Sequence, residues 1–310
     1  MGAVYALCGH SEDDQVGETR SYEEEHQNPT SCGAFCSACA ASEEDPLGEA
    51  ESYEGASRSH ARCTERADLP REPAGGAARE SDRAEAGKRL IQLVKSEDTV
   101  GALRLTEHGA ALDVQDDRGE SALFWAARWD QLETVEALIR AGAPLDLQSR
   151  YGWTALMRAT AEGHGKIVAA LIGAGAALDV QGEYGDTALI QAAGNGDTEI
   201  TAALIGAGAG LDLQNRYGNS ALMEATSNDH VATAAALVEA GARIDMQDRH
   251  GDTALMKAAG GGHAEIATDL LEGGAGLDLR NHDGKTALMV AAVHGHTSIY
   301  IALSAAAKDS

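Results

Sequence analysis

Glycine recurs every 33 residues in two registers: Gly119, Gly152, Gly185, Gly218, Gly251 and Gly284, and again Gly109, Gly142, Gly175, Gly208, Gly241 and Gly274. No insertion or deletion breaks either series. A period of this size belongs to a supersecondary unit too small to bury its own apolar face. Such units are copied and stacked so that each covers its neighbour. The spacing therefore constrains the chain to an elongated stack, which offers a long surface before it offers a catalytic pocket.

The segment 149–181 (SRYGWTALMRATAEGHGKIVAALIGAGAALDVQ) shows how one copy is built. Gly152 marks a turn, and Thr154 is placed to cap a short helix with its hydroxyl. Leu156, Ala159 and Thr160 fall at helical spacing on the inner face. Gly163-His164 breaks that helix. A second one follows with Ile167, Val168, Leu171 and Ile172 packed, and Gly175 ends it as a C′ glycine. Residues 178–181 are extended and lead into the next turn. The same frame divides the chain into 116–148, 149–181, 182–214, 215–247, 248–280 and a shortened 281–310. Residues 83–115 form a degenerate first unit in which LIQLVKSED (90–98) stands for the first helix. This gives about seven units, with both ends expected to cover an otherwise exposed apolar face.

Helix–turn–helix units of this length resemble the ankyrin repeat. The resemblance is carried by GESALFWAA (119–127), GWTALMRAT (152–160), GDTALIQAA (185–193), GNSALMEAT (218–226), GDTALMKAA (251–259) and GKTALMVAA (284–292). It extends to the Gly-His pairs at 163–164, 262–263 and 295–296, and to endings such as GAALDVQ (175–181) and GAGLDLQ (208–214). It implies an all-α ankyrin-repeat solenoid over 83–310 that binds protein partners through turn tips and first helices. Three departures stand out. The family's Pro is Ala in every copy, its late Asn is Asp, and its His is Phe124, Ile190, Met157, Met223, Met256 or Met289. In the family that His ties neighbouring turns together, so its loss predicts more apolar packing between units and puts that ladder in doubt.

Residues 1–82 differ in character. They carry 18 acidic and 6 basic side chains and four of the five prolines. Hydrophobic periodicity is absent, so a disordered acidic tail is expected. The whole chain has a formal charge of −25. This argues against nucleic acid or an anionic membrane as the main partner, because both require Lys/Arg patches. No run of 18 apolar residues suggests a membrane span, and the first ten residues lack the form of a secretory signal. All five cysteines (Cys8, Cys32, Cys36, Cys39, Cys63) lie in the tail. An odd, clustered set suits unpaired thiols in a reducing compartment, hence an intracellular, cytoplasmic or nuclear protein. Cys32, Cys36 and Cys39 with Cys63, His26 or His60 are the alternative, a zinc site in the tail. Gly2 and Cys8 raise lipidation, although Ala6 departs from the usual myristoylation pattern.

Much of what tempts as chemistry belongs to the repeating frame. Asp113, Asp146, Asp179, Asp212, Asp245 and Asp278 recur once per unit and cannot share one Ca²⁺, whose ligands lie at about 2.4 Å. Each is expected to bond amides of its own turn. The methionines are expected in the core. No catalytic constellation, cofactor site or metal site emerges from 83–310, so an enzyme is not expected. What varies is the turn tips, where Arg150, Arg216, Arg249, Tyr151, Tyr184, Tyr217 and His250 gather, and a tryptophan group near the front. Tyr, Trp and Arg are the usual anchors of protein interfaces. Trp129, Tyr151 and Trp153 are expected to form the centre of a partner site on a monomeric adaptor or scaffold. Trp125 is better explained by packing. In the competing reading the tip tyrosines stack on neighbouring turns and the arginines neutralise Glu120, Asp186 and Asp252. A structural, self-associating protein is the alternative function.

Overall fold

The computed structural model describes residues 80–309. The tail cysteines, Gly2 and their candidate zinc and lipid chemistry lie outside the described residues. Within them, fourteen helices form seven consecutive pairs. First helices are α1 (Glu80–Lys95), α3 (Ala122–Arg128), α5 (Ala155–Ala161), α7 (Ala188–Asn195), α9 (Ala221–Ser227), α11 (Ala254–Gly261) and α13 (Ala287–His294). Their second helices are α2 (Thr99–Glu107), α4 (Leu132–Arg140), α6 (Gly165–Gly173), α8 (Thr198–Gly206), α10 (Val231–Glu239), α12 (Ala264–Glu272) and α14 (Thr297–Asp309). First helices pack on first helices and second on second along the stack. Helix α1 covers Glu80–Lys95, so it begins well ahead of the 90–98 segment expected to form the first helix and ends before it does. It has its own buried stripe of Leu90, Ile91 and Val94.

Each first helix from α3 onward begins at a hydroxyl cap. Ser121, Thr154, Thr187, Ser220, Thr253 and Thr286 accept from the amides of Phe124, Met157, Ile190, Met223, Met256 and Met289. Such a cap contributes about 1 kcal/mol. Leu156, Ala159 and Thr160 are buried as the spacing predicts, and so are Ile167, Val168 and Leu171, with Ile172 half-buried. Phe124, Met157, Ile190, Met223 and Met256 occupy the core between units.

The two glycine registers do different work. Gly208 has φ +89 with open space where a Cβ would stand, so only the left-handed conformation requires it. Gly218 has φ +81, and a Cβ there would lie 2.7 Å from the Arg249 amide nitrogen. At the tips, glycine also permits close approach of the next turn.

That approach carries the ties that the missing family His leaves open. Amides of Arg150, Glu183, Arg216, Arg249 and His282 donate to the carbonyls of Arg118, Tyr151, Tyr184, Tyr217 and His250. The Gln115, Gln148, Gln181, Gln214 and Gln247 side chains each donate to a carbonyl 33 residues on. Nε2 of His164, His230 and His296 meets the carbonyls of Arg128, Gly194 and Gly260 at 3.0–3.2 Å. The Asp row behaves differently from expectation. Asp146, Asp179, Asp212 and Asp245 accept from amides of the following unit, those of Ala177, Gly210, Arg243 and Gly276, at 2.8–2.9 Å. The stacking distance brings the neighbour's amide within reach, which a reading of one turn in isolation misses. Asp113 has no such donor, because the matching residue is Pro144, which has no N–H. Each of these bonds is worth about 0.5–1.5 kcal/mol net.

The C-terminal end departs from a polar cap. Met289, Val293, Tyr300 and Ile301 are exposed in the last pair, because no described helix pair packs beyond them. Met289 is thus the exception in the buried methionine row.

Candidate functional site

Tyr151, Tyr184 and Tyr217 project from three successive tips and are exposed at 59, 54 and 59%. Arg150, Arg216, Arg249 and His250 beside them are exposed as well. Among the described residues, no ion pair involves Arg150, Arg216 or Arg249, and no aromatic stacking involves the three tyrosines. The arginine half of the competing reading, neutralisation of nearby carboxylates, is thus met by no ion pair among these residues.

The tryptophans divide. Trp125 is nearly buried, and its indole N–H donates to Asp116 at 3.1 Å. Trp129 is 45% exposed and stacks on Trp125 at 6.4 Å, with the Arg128 guanidinium 5.1 Å from its ring centre. Trp153 is half-buried under Arg158, 4.6 Å away, and Arg158 also pairs with Glu162 at 3.1 Å. The ring contacts join Trp129 to Trp125, not to Tyr151 or Trp153. Trp153 instead lines a groove of about 430 Å³ with Tyr217 and the side chains of α7 and α9.

That groove holds Asp186 together with two polar residues not singled out from the sequence, Asn215 and Glu224. The Asn215 side-chain amide donates to Asp186 at 2.9 Å and to Glu224 at 3.2 Å. Its carbonyl oxygen accepts from the Tyr217 and Asn219 amides, so it also fixes the tip. Burial pushes the Asp186 carboxyl above its ordinary value, Asn215 opposes this, and the charge of Glu224 adds to the rise. Asp116 and Asp248 occupy the position of Asn215 in other units and behave oppositely. Burial raises each, but a lysine and backbone amides outweigh it and hold both below the ordinary value. Lys95 reaches Asp116 at 2.6 Å, and Lys257 reaches Asp248 at 2.9 Å. The signal was present in the sequence. The first-helix position that reads Trp125, Arg158, Gln191, Glu224, Lys257 and Val290 is polar in the four middle copies and changes charge among them, while the positions around it barely change.

No group of three or more His, Cys, Asp or Glu placed to hold a metal ion occurs among the described residues. No described helix is long and apolar enough to cross a membrane. The family model described as "Ankyrin repeats (3 copies)" matches residues 90–182, 165–248 and 242–309. The chain is also similar to a crystal structure of the ankyrin repeat domain of Bcl-3, described as a member of the IkappaB protein family. The two are 27% identical with a TM-score of 0.61, over 67% of this chain and 96% of that one. No curated protein matches the sequence.

Proposed function

This chain belongs to the ankyrin-repeat family, whose repeats generally mediate protein–protein interaction, and we propose that it is an adaptor or scaffold. It holds a protein partner non-covalently along the concave side formed by the tips and first helices. The observation that carries this reading is the row of three equally exposed tyrosines, flanked by arginines engaged in no ion pair. Large amphipathic side chains held on rigid turns make contact area at low entropic cost. The partner is expected to be basic or neutral, given the net charge of −25.

The variant Tyr151→Ser/Tyr184→Ser/Tyr217→Ser tests it. Each tyrosine is more than half exposed, so the thermal transition is expected to change little. Affinity for any partner purified with the wild type falls at least tenfold. Undiminished affinity in the folded triple variant would remove the tips from the interface.

A further inference from the structure

The first-helix position that reads Arg158, Gln191, Glu224 and Lys257 lines the inner face once per unit. On either side of the groove, this position carries the protein's own cation. Lys257 closes on Asp248, and Arg158 closes on Glu162 while covering Trp153. In between, at Gln191 and Glu224, the cation is missing. Two carboxylates, Asp186 and Glu224, converge instead on the Asn215 amide, at 2.9 and 3.2 Å; Glu224 also accepts from the Asn219 side-chain amide at 2.8 Å, and neither carboxylate forms an ion pair. Gln191 Oε1, shielded from solvent, accepts no hydrogen bond from the protein and lines the same groove. The walls are Trp153 and the exposed ring of Tyr217.

From this we infer that the groove between Trp153 and Tyr217 is a specificity pocket for an arginine side chain of the partner, held by Asp186, Glu224 and Gln191. The neighbouring unit supplies the internal precedent, since there the equivalent place takes an ammonium. A guanidinium suits this unit better. It offers five donors in a plane, enough to bridge two carboxylates and an amide oxygen, and its faces stack on aromatic walls. Arg158 does not repel it strongly, because its own charge is matched by Glu162 at 3.1 Å. Two half-buried carboxylates held close together without a counter-ion work against folding, which is the usual mark of a site kept for a ligand. The inference rests on the partner-recognition reading only for the owner of the arginine; the pocket itself is tested with a small molecule.

The probe is N-acetyl-arginine amide, titrated into the isotope-labelled full chain at physiological salt, with N-acetyl-citrulline amide as the uncharged isostere. Expected are saturable shifts at the Asn215 side-chain amide and the Trp153 indole with the arginine compound, and none with citrulline. Asp186→Asn/Glu224→Gln weakens the arginine affinity at least tenfold. So does Asn215→Asp/Glu224→Lys, which copies the Asp248–Lys257 pair of the next unit and fills the pocket from within. Equal shifts from citrulline would overturn the assignment, as would arginine shifts that both variants leave unchanged. Either failure leaves the tyrosine test of partner recognition standing.

Discussion

Units 215–247 and 248–280 are adjacent copies of one frame, yet they treat buried charge in opposite ways. Both begin with a turn residue that accepts two tip amides, Asn215 in one and Asp248 in the other. Both cap the first helix with a hydroxyl and bury the methionine that follows. Nine residues past the turn residue, one has Glu224 and the other Lys257. The second unit thereby closes an ion pair whose side chains are 3% and 18% exposed. The first leaves Asp186 and Glu224 with neutral amides alone, Asn215 serving both and Asn219 donating to Glu224 as well. The frame fixes where these groups stand; the identity at a single position decides whether the carboxylate of a unit meets an internal cation.

Breaking the closed pair has the largest expected effect. Lys257→Met strands a buried carboxylate and lowers stability by about 2–3 kcal/mol at neutral pH, somewhat under the usual loss for a fully enclosed pair because Lys257 keeps some exposure. Chemical denaturation at constant m reads this directly. The mirror change has the opposite sign. Asp186→Asn removes a charge that burial disfavours and is expected to stabilise by roughly 0.5–1 kcal/mol.

Acid sharpens the same contrast. The Asp248 carboxyl lies below its unfolded-state value of about 3.9, because Lys257 and two amides outweigh burial. Its stabilisation is complete above that unfolded value and is lost as pH falls through the folded one. Asp186 lies above the unfolded value, chiefly through burial. Its unfavourable contribution is present at neutral pH and is relieved as pH falls through the raised value. On acidification, the gain from Asp186→Asn therefore fades before the penalty of Lys257→Met does. Carboxyl carbon shifts followed by NMR give the order of protonation, with Asp186 first.

How much of this could be read from the chain differs between frame and site. Turns, caps and buried stripes recur at a fixed step, so Gly152, Thr154 and Leu156 declare their roles six times over. The Asp row was legible as a row but not as a tie between units, because its partner amide lies 31 residues away and becomes a neighbour only in the stack. Tyr151, Tyr184 and Tyr217 were recognisable because their tip position is set by the turn glycine. Asn215 and Glu224 were not, and Asp186 was read only as a partner of the tip arginines, since their meaning depends on a convergence that residues 29 and 9 apart reach only after folding.

An effect as small as that of Asp186→Asn concerns the junction between helices of a pair. Gly163, Gly196, Gly262 and Gly295 take a left-handed φ there, and Glu97, Asp130 and Asp229 adopt the same conformation at φ 60, 51 and 60. Asp130 and Asp229 face His164 and His263 at 3.8 and 3.0 Å, whereas Glu97 has no ion pair to lose. Glu97→Gly is accordingly expected to raise stability by about 0.5–1 kcal/mol, measurable as a higher denaturant midpoint.

The central claim is that information for a partner lies on the tips and first helices, while the second helices serve the stack. Photo-crosslinking amino acids placed one at a time at Tyr151, Tyr184 and Tyr217, and at the exposed second-helix positions Glu136, Glu199 and Glu265, test it most directly in cells. The account predicts crosslinks to the same partner from all three tip positions and none from the second helices. Crosslinks concentrated at Glu136, Glu199 and Glu265 would contradict it.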